Sequence, residues 1–168
     1  MTKYPVDLIT ILGPTASGKT PFAAHLAHYL GDAEIISADS RMVYRGMTIG
    51  SGKDLDDYVV DGHHIPYHLI DICEAGYRFN VYEFQCAFQN AFMDITARGQ
   101  LPIMCGGTGL YIESVLKSYE LGQVRFPERN SLTIGLSIER DLRREKISRR
   151  LKARLEEGMI EEVQTLLQ

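Results

Sequence analysis

The sequence predicts a three-layer α/β fold with a mostly parallel sheet, in a single domain spanning residues 1–168. Three observations carry that expectation. Short aliphatic runs alternate with helical patterns, the signature of strands joined by crossover helices. Each run stops at a glycine or a small polar residue. The length of 168 residues, 45% of them apolar and 24% charged, suits one globular domain that buries about two-thirds of its unfolded surface. No run of 18 apolar residues exists and the N-terminus MTKYPVDL lacks a signal-peptide core, so the expected location is the cytoplasm, with no membrane partner.

Asp7–Leu12 is aliphatic and ends at Gly13, a buried parallel-type strand. Thr20–Leu30 places Phe22, Leu26, Tyr29 and Leu30 at helical spacing, and Pro21 fits a first turn, where its missing N–H is not needed. Glu34–Ala38 reads as a second strand ending at Asp39. Glycines and charges from Gly46 to Gly62 predict a loop-rich stretch. Leu69–Ile72 is a brief strand-like run. Val81–Arg98 is an amphipathic helix closed by Gly99. Leu101–Cys105 is another buried strand, followed by Gly106 and Gly107. Tyr111–Leu116 starts a further helix, and 118–132 is a short polar linker. Thr133–Ile138 reads as the last strand, and Glu139–Leu167 as helix broken near Gly158. In such sheets ligands bind outside the carboxyl ends of the strands, where Gly13, Asp39 and Gly106 fall.

The formal charge is −4, so the chain as a whole is not a basic nucleic-acid binder. The charge is uneven, however. Between Arg140 and Arg154 eight basic residues face two acidic ones, a local +6 that leaves −10 for the rest. Such a helix is either a solvated face or a surface turned toward a polyanion. Three cysteines with no C-x-x-C spacing read as buried reduced thiols. His25 with His28, and His63 with His64, have no further ligand spaced to join them in a metal site. Tyr77, Phe79, Tyr82 and Phe84 read as core or pocket wall rather than as a base-stacking platform.

Gly13-Pro14-Thr15-Ala16-Ser17-Gly18-Lys19-Thr20 matches G-x-x-x-x-G-K-[ST] in full, between a strand and a helix, which is the context the motif demands. The fold expectation thereby sharpens to a P-loop NTPase-like one. Gly13, Thr15, Ala16, Ser17 and Gly18 would turn backbone N–H groups inward, and the helix N-terminus adds positive potential. Lys19 supplies a point charge to terminal phosphates, and Thr20 can hold a magnesium ion bridging them. The ligand is a di- or triphosphate. Asp39, ending the second strand beside this loop, could hold magnesium through water or take a proton from an acceptor; it could also serve as a turn or helix-capping residue.

At this point the residues resemble a known family. The phosphate loop, then Ser37-Ala38-Asp39-Ser40-Arg41-Met42-Val43-Tyr44-Arg45-Gly46-Met47, His68-Leu69-Ile70-Asp71, and Gly106-Gly107-Thr108-Gly109-Leu110-Tyr111-Ile112 look like the tRNA dimethylallyltransferases and the related adenylate isopentenyltransferases. The resemblance runs from about Asp7 to Leu116 and resumes from Ile134 to Leu167. It implies prenyl transfer: the loop grips dimethylallyl diphosphate, and the N6 amine of an adenine attacks the allylic carbon. By resemblance Asp39 is the general base and Thr108 lines the reaction channel. Lys146-Ile147-Ser148-Arg149-Arg150 matches the family's Arg-Ile-x-x-Arg, making Arg150 a second cation on the leaving diphosphate. Ser40, Arg41, Met42 and Lys53 lie on the acceptor side.

Two departures qualify the match. Met42 stands where the family usually has glutamine. The helical insertion with which tRNA enzymes grip the anticodon stem has only 118–132 in its place; tRNA is the acceptor the resemblance implies by default, while a free adenine nucleotide is the better physical fit to the short interval, with weak tRNA binding. The rivals are a small-molecule P-loop kinase using ATP and a non-catalytic diphosphate-binding paralogue. The Gly106–Ile112 motif argues against the first. Intact Lys19, Thr20, Asp39 and Arg150 argue against the second.

Overall fold

A computed structural model describes residues 3–122 and 129–167. The central sheet contains β1 (Leu8–Leu12), β2 (Ala33–Ser37), β5 (Tyr67–His68), β6 (Leu101–Gly106) and β7 (Ser131–Gly135) in the spatial order β5-β2-β6-β1-β7. Every pairing in it is parallel. Val59–Val60 (β3) and His63–His64 (β4) form a separate antiparallel hairpin.

Strand alternation builds two cores, because successive side chains leave opposite faces of a sheet. Ile9, Ile11, Ile35, Ile103 and Cys105 face one side, where α1 (Lys19–Leu30) packs through Ala23, Ala24 and Ala27. Leu8, Ile36 and Met104 face the other. There α2 (Val81–Ala97) and α3 (Gly109–Leu116) contribute Phe84, Phe88, Ile95, Tyr111 and Val115. Phe84 stacks on Tyr111 with ring centroids 4.1 Å apart. The small alanines of α1 let that helix lie close to the sheet, which brings its N-terminus to the end of β1.

Helix boundaries follow local chemistry. Asn80 caps α2 by accepting from the Glu83 N–H, while the Glu83 carboxylate accepts from the Asn80 N–H, a reciprocal capping box. Gly158, at φ 102°, separates α4 (Arg140–Glu156) from α5 (Met159–Leu166), as the break near Gly158 predicts.

Several expectations need correction. The strand expected at Leu69–Ile72 lies two residues earlier, as β5, because Leu69 and Asp71 adopt left-handed backbone at φ 64° and 55°. The chain turns there, and the Asp71 N–H bonds to the Met42 carbonyl at 3.0 Å. The last strand starts at Ser131 rather than Thr133. The loop-rich stretch from Gly46 to Gly62 contains a 3₁₀ turn at Leu55–Tyr58 and β3. Part of the expected 118–132 linker lies outside the described residues.

The aromatic cluster divides. Phe84 is core, whereas Tyr77 and Tyr82 are exposed. His28 lies against His63 and Asp61. No helix among the described residues is long and apolar enough to cross a membrane.

Candidate active site

A cleft of about 390 Å³ opens at the carboxyl ends of β1, β2 and β6. Its floor is the loop between β1 and α1. Ala16 and Gly18 both have positive φ, 65° and 83°, which curls the loop so that its backbone faces the cleft. Gly13 has no room for a side chain: a Cβ there would meet the Leu136 carbonyl and the Ser17 Oγ at 2.8 Å. α1 begins at Lys19 with no side-chain cap and no acidic residue in its first turn. Its first N–H groups and the positive end of its dipole are therefore left for an anion.

Lys19 folds back over this loop and donates to the Pro14 carbonyl at 2.8 Å. Burial holds its ammonium pKa below the ordinary lysine value; Cys105 and Asp39 pull it up, and Arg150 adds to the lowering. Thr15, Ala16, Gly18 and Thr20 line the same cleft. The Ser17 hydroxyl is buried without a partner among the described residues. Cys105 forms part of the wall, and burial pushes its thiol up to about 12, which keeps it neutral and unreactive.

Asp39 lines the cleft beyond the end of β2. Its Oδ1 accepts from the Arg41 N–H at 2.8 Å, an Asx turn of the kind the alternative reading expected. That turn orients the carboxylate and uses one of its oxygens. Among the described residues no hydrogen bond to Oδ2 is made. The turn and a chemical role are therefore compatible. Arg41 and Met42 also line the cleft. Met42 is half-buried, and its sulfur accepts from the Ser37 hydroxyl at 3.7 Å.

Thr108 sits beside this wall. Its Oγ1 accepts from the Ser40 N–H at 2.9 Å and lies 3.2 Å from the Ser40 Oγ, joining the ends of β2 and β6. Gly106 permits that junction, since a Cβ there would collide with the Ala38 backbone. Lys53 is not among the residues that line the cleft. Its side chain is fully buried and ion-paired with Asp71, and it also donates to the Tyr44 carbonyl. An ammonium committed in this way braces the turn at Asp71 and does not face the cleft.

The opposite wall is α4. Lys146, Arg150 and Arg154 fall on one helical face and all line the cleft. Arg150 donates to Asp54 Oδ2 at 3.2 Å and lies 3.4 Å from the Gly52 carbonyl. Arg149 and Arg144 behave as a solvated face, pairing with Glu145 at 2.5 Å and Asp141 at 4.0 Å, whereas Arg143 is half-buried with its Nε enclosed. Arg144 and Arg149 thus fit the solvated face, while Lys146, Arg150 and Arg154 turn toward the cleft. Lys146, the first position of the motif that holds Arg150, joins the cleft with it, and Asp54, Asp57 and Arg154 do so without any sequence signal beyond their charge. α5 adds a tie from outside it. The Glu162 carboxylate accepts from the N–H groups of Thr48, Ile49 and Gly50 at 2.8–2.9 Å. Burial raises its pKa, and those three hydrogen bonds outweigh that and hold it below the ordinary value.

A parallel sheet with this loop after its first strand defines a phosphate-loop α/β fold. The comparisons narrow the class. A family model described as IPP transferase matches residues 42–130. A tRNA dimethylallyltransferase 2 of Bacteroides fragilis is 47% identical over 225 residues, which cover 99% of this chain and 73% of that one. A counterpart from Phocaeicola vulgatus is 48% identical, covering 99% and 72%. The crystal structure of the full-length tRNA isopentenylpyrophosphate transferase of Bacillus halodurans matches with a TM-score of 0.84 at 31% identity, over 96% of this chain and 70% of that one. The chain belongs to the tRNA dimethylallyltransferase family. Aligning 225 positions with a chain of 168 residues leaves at least 57 positions of the Bacteroides fragilis relative without a counterpart here.

Proposed function

We propose that this protein transfers a dimethylallyl group from dimethylallyl diphosphate to the N6 amine of an adenine in tRNA. The observation that carries the reading is the meeting of three groups at one cleft: the loop through Thr15, Ala16, Gly18, Lys19 and Thr20, Asp39, and the Arg150 face of α4. The loop N–H groups and Lys19 would hold the diphosphate. The amine would attack the allylic carbon as the carbon–oxygen bond to diphosphate breaks. Its proton would pass to the Asp39 carboxylate, while Lys19 and Arg150 take up the charge growing on the departing diphosphate. Thr108 would act here through Ser40, setting the rim beside Asp39.

Among the described residues no three His, Cys, Asp or Glu side chains gather to hold a metal. The Thr20 and Ser17 hydroxyls fit a magnesium ion coordinated mainly by phosphate oxygens and water; when bound, such an ion neutralises charge on the diphosphate. Ser40, Arg41 and Met42 would form the acceptor side. The missing positions belong, in this reading, to the interval 118–132. Tested against the relatives above, each named for tRNA, the expectation of a free nucleotide acceptor gains no support. A tRNA substrate accords with a cytoplasmic location.

The test is incubation of the protein with labelled dimethylallyl diphosphate and, separately, unmodified tRNA, AMP or ATP. Prenylated adenine should form in tRNA. Asp39→Asn should bind donor normally and turn over about 10²–10⁴-fold more slowly. Steady ATP consumption without a prenylated product would return the protein to the kinase reading.

A further inference from the structure

Arg154 differs from its neighbours on α4. Its side chain is 13% exposed, against 63% and 75% for Arg144 and Arg149 on the same helix. A guanidinium is enclosed like this only when it faces something that compensates its charge. In this structure that partner is Asp54: Arg154 Nη2 lies 3.3 Å from Oδ1 and 3.2 Å from Oδ2. The same Oδ2 accepts from Arg150 at 3.2 Å. One carboxylate therefore serves two guanidinium groups, with Asp57 the further anion acting on Arg150. These bonds exceed the roughly 2.7–2.9 Å usual for charge-assisted pairs. Asp54 is itself 54% exposed, so the anion is the partner with room to leave.

Two further observations concern the same spot. Arg150 Nε is buried and has no hydrogen-bond partner among the described residues. Gly52, at φ 76°, lies against both guanidinium groups, and a Cβ there would meet Arg154 Nη2 at 2.6 Å and would also collide with Arg150. The backbone thus yields space to the two cations. Around the cleft Lys19, Arg41, Lys146, Arg150 and Arg154 face Asp39, Asp54 and Asp57. Five cations against three carboxylates leave a net +2, a surplus suited to a diphosphate.

We infer that Arg154 is a further diphosphate-contacting residue, and that Asp54 is a displaceable counter-ion holding Arg150 and Arg154 until the diphosphate takes its place. This rests on the reading of the cleft as a diphosphate site. The planar fork of each guanidinium matches two phosphate oxygens as well as it matches a carboxylate. Exchange of Asp54 for diphosphate keeps both cations paired throughout, so neither is stranded in the cleft. It also sets a competition: every diphosphate bound must first displace an internal anion.

Titration calorimetry with inorganic pyrophosphate on the full chain tests this in the wild type and in Lys19→Ala, Arg154→Ala, Arg154→Lys and Asp54→Asn. Arg154→Ala should weaken pyrophosphate binding about tenfold. Arg154→Lys should recover part of that, keeping the charge and losing the fork. Asp54→Asn should bind pyrophosphate several-fold more tightly than the wild type. Wild-type affinity in Arg154→Ala alongside weakened binding in Lys19→Ala overturns the inference and leaves the diphosphate site standing. Wild-type affinity in Lys19→Ala removes the site itself. Weaker binding in Asp54→Asn overturns the exchange, making Asp54 a required positioning group. Should Arg154→Ala fail to fold, Arg154→Lys and Asp54→Asn, which preserve size, decide alone.

Discussion

Along α1, α2 and β6 the inward side chains are sealed from solvent, and Phe84, Phe88, Ile95 and Ile103 have no exposed surface at all. Along α4 and α5 no residue is buried. Their apolar side chains Leu151, Leu155, Ile160 and Val163 remain about half exposed. What fastens this hairpin to the body includes the Asp54 bridge to Arg150 and Arg154, and the Glu162 carboxylate on the loop at 48–50. One region is held by burial, which water cannot undo locally; the other has polar ties that an ion or a proton can replace. The cleft lies between them, with Lys19 on the first and Arg150 on the second. Adjustment on binding ligand is therefore expected from α4 and α5.

The strongest way to break the comparison is to remove apolar volume from each side. Phe84→Ala should cost about 3–5 kcal/mol of stability, and Leu151→Ala no more than about 0.5. Urea unfolding checks both, and equal losses would make the hairpin part of the core. A charged group within the buried region should come next. Glu34 is buried beside Arg98 and His68. Burial raises its pKa, but the Arg98 and His68 hydrogen bonds outweigh it and hold the pKa below the ordinary 4.5. A lowered carboxyl pKa contributes stability that is present above the unfolded value and lost as pH falls through the folded one. Glu34→Gln should therefore cost about 2 kcal/mol near neutrality, and the gap to the wild type should close in acid below that value.

Function separates the two regions differently. Arg150→Ala should lower turnover at least tenfold, about 1.4 kcal/mol of transition-state stabilisation, while its unfolding midpoint stays at the wild-type value. A fall in both together would mean that the hairpin contributes to the scaffold. The smallest effect belongs to Glu162→Gln. Amide exchange at Thr48, Ile49 and Gly50 should accelerate with little change in global stability. The wild type should show the same loosening as the medium is acidified, because the Glu162 pKa is lowered and its hold is lost as pH falls through the folded value. Unchanged protection in either experiment would mean that the loop supports itself.

The sheet and its helices were legible because their signals are local. Aliphatic runs such as Leu8–Leu12 end at glycine or a small polar residue, and the Gly13–Thr20 spacing carries its own chemistry. Gly158 marks a helix break wherever it falls. What escaped was relational. Asp54 meets Arg154 across 100 positions of sequence, and Glu162 meets Thr48 across 114; no pattern within either segment names the other. The burial of Lys53 against Asp71 was not legible either, because a motif does not state which way a side chain turns. The apolar run at Leu69–Ile72 looked like a strand because periodicity cannot register two left-handed residues. The basic stretch was ambiguous because only the folded helix decides which of its cations face the cleft.

The start of β7 is pinned beside the start of β1, where the N–H groups of Asp7 and Leu8 donate to the Asn130 carbonyl at 2.7 and 3.3 Å and the Asp7 carboxylate accepts from the Asn130 N–H at 3.0 Å. α3 runs from the cleft back toward the same end of the sheet, so the chain leaves the core after Lys117 and is back on it at Asn130, at the end of the strands opposite the cleft. Loop-closure entropy grows only as the logarithm of length: making a connection of this kind five times longer costs about 1.4 kcal/mol. Polypeptide can thus be added or deleted at this seam without disturbing the register of the strands that hold Gly13, Asp39 and Gly106. It is a place where a further module could be spliced in over an unaltered core.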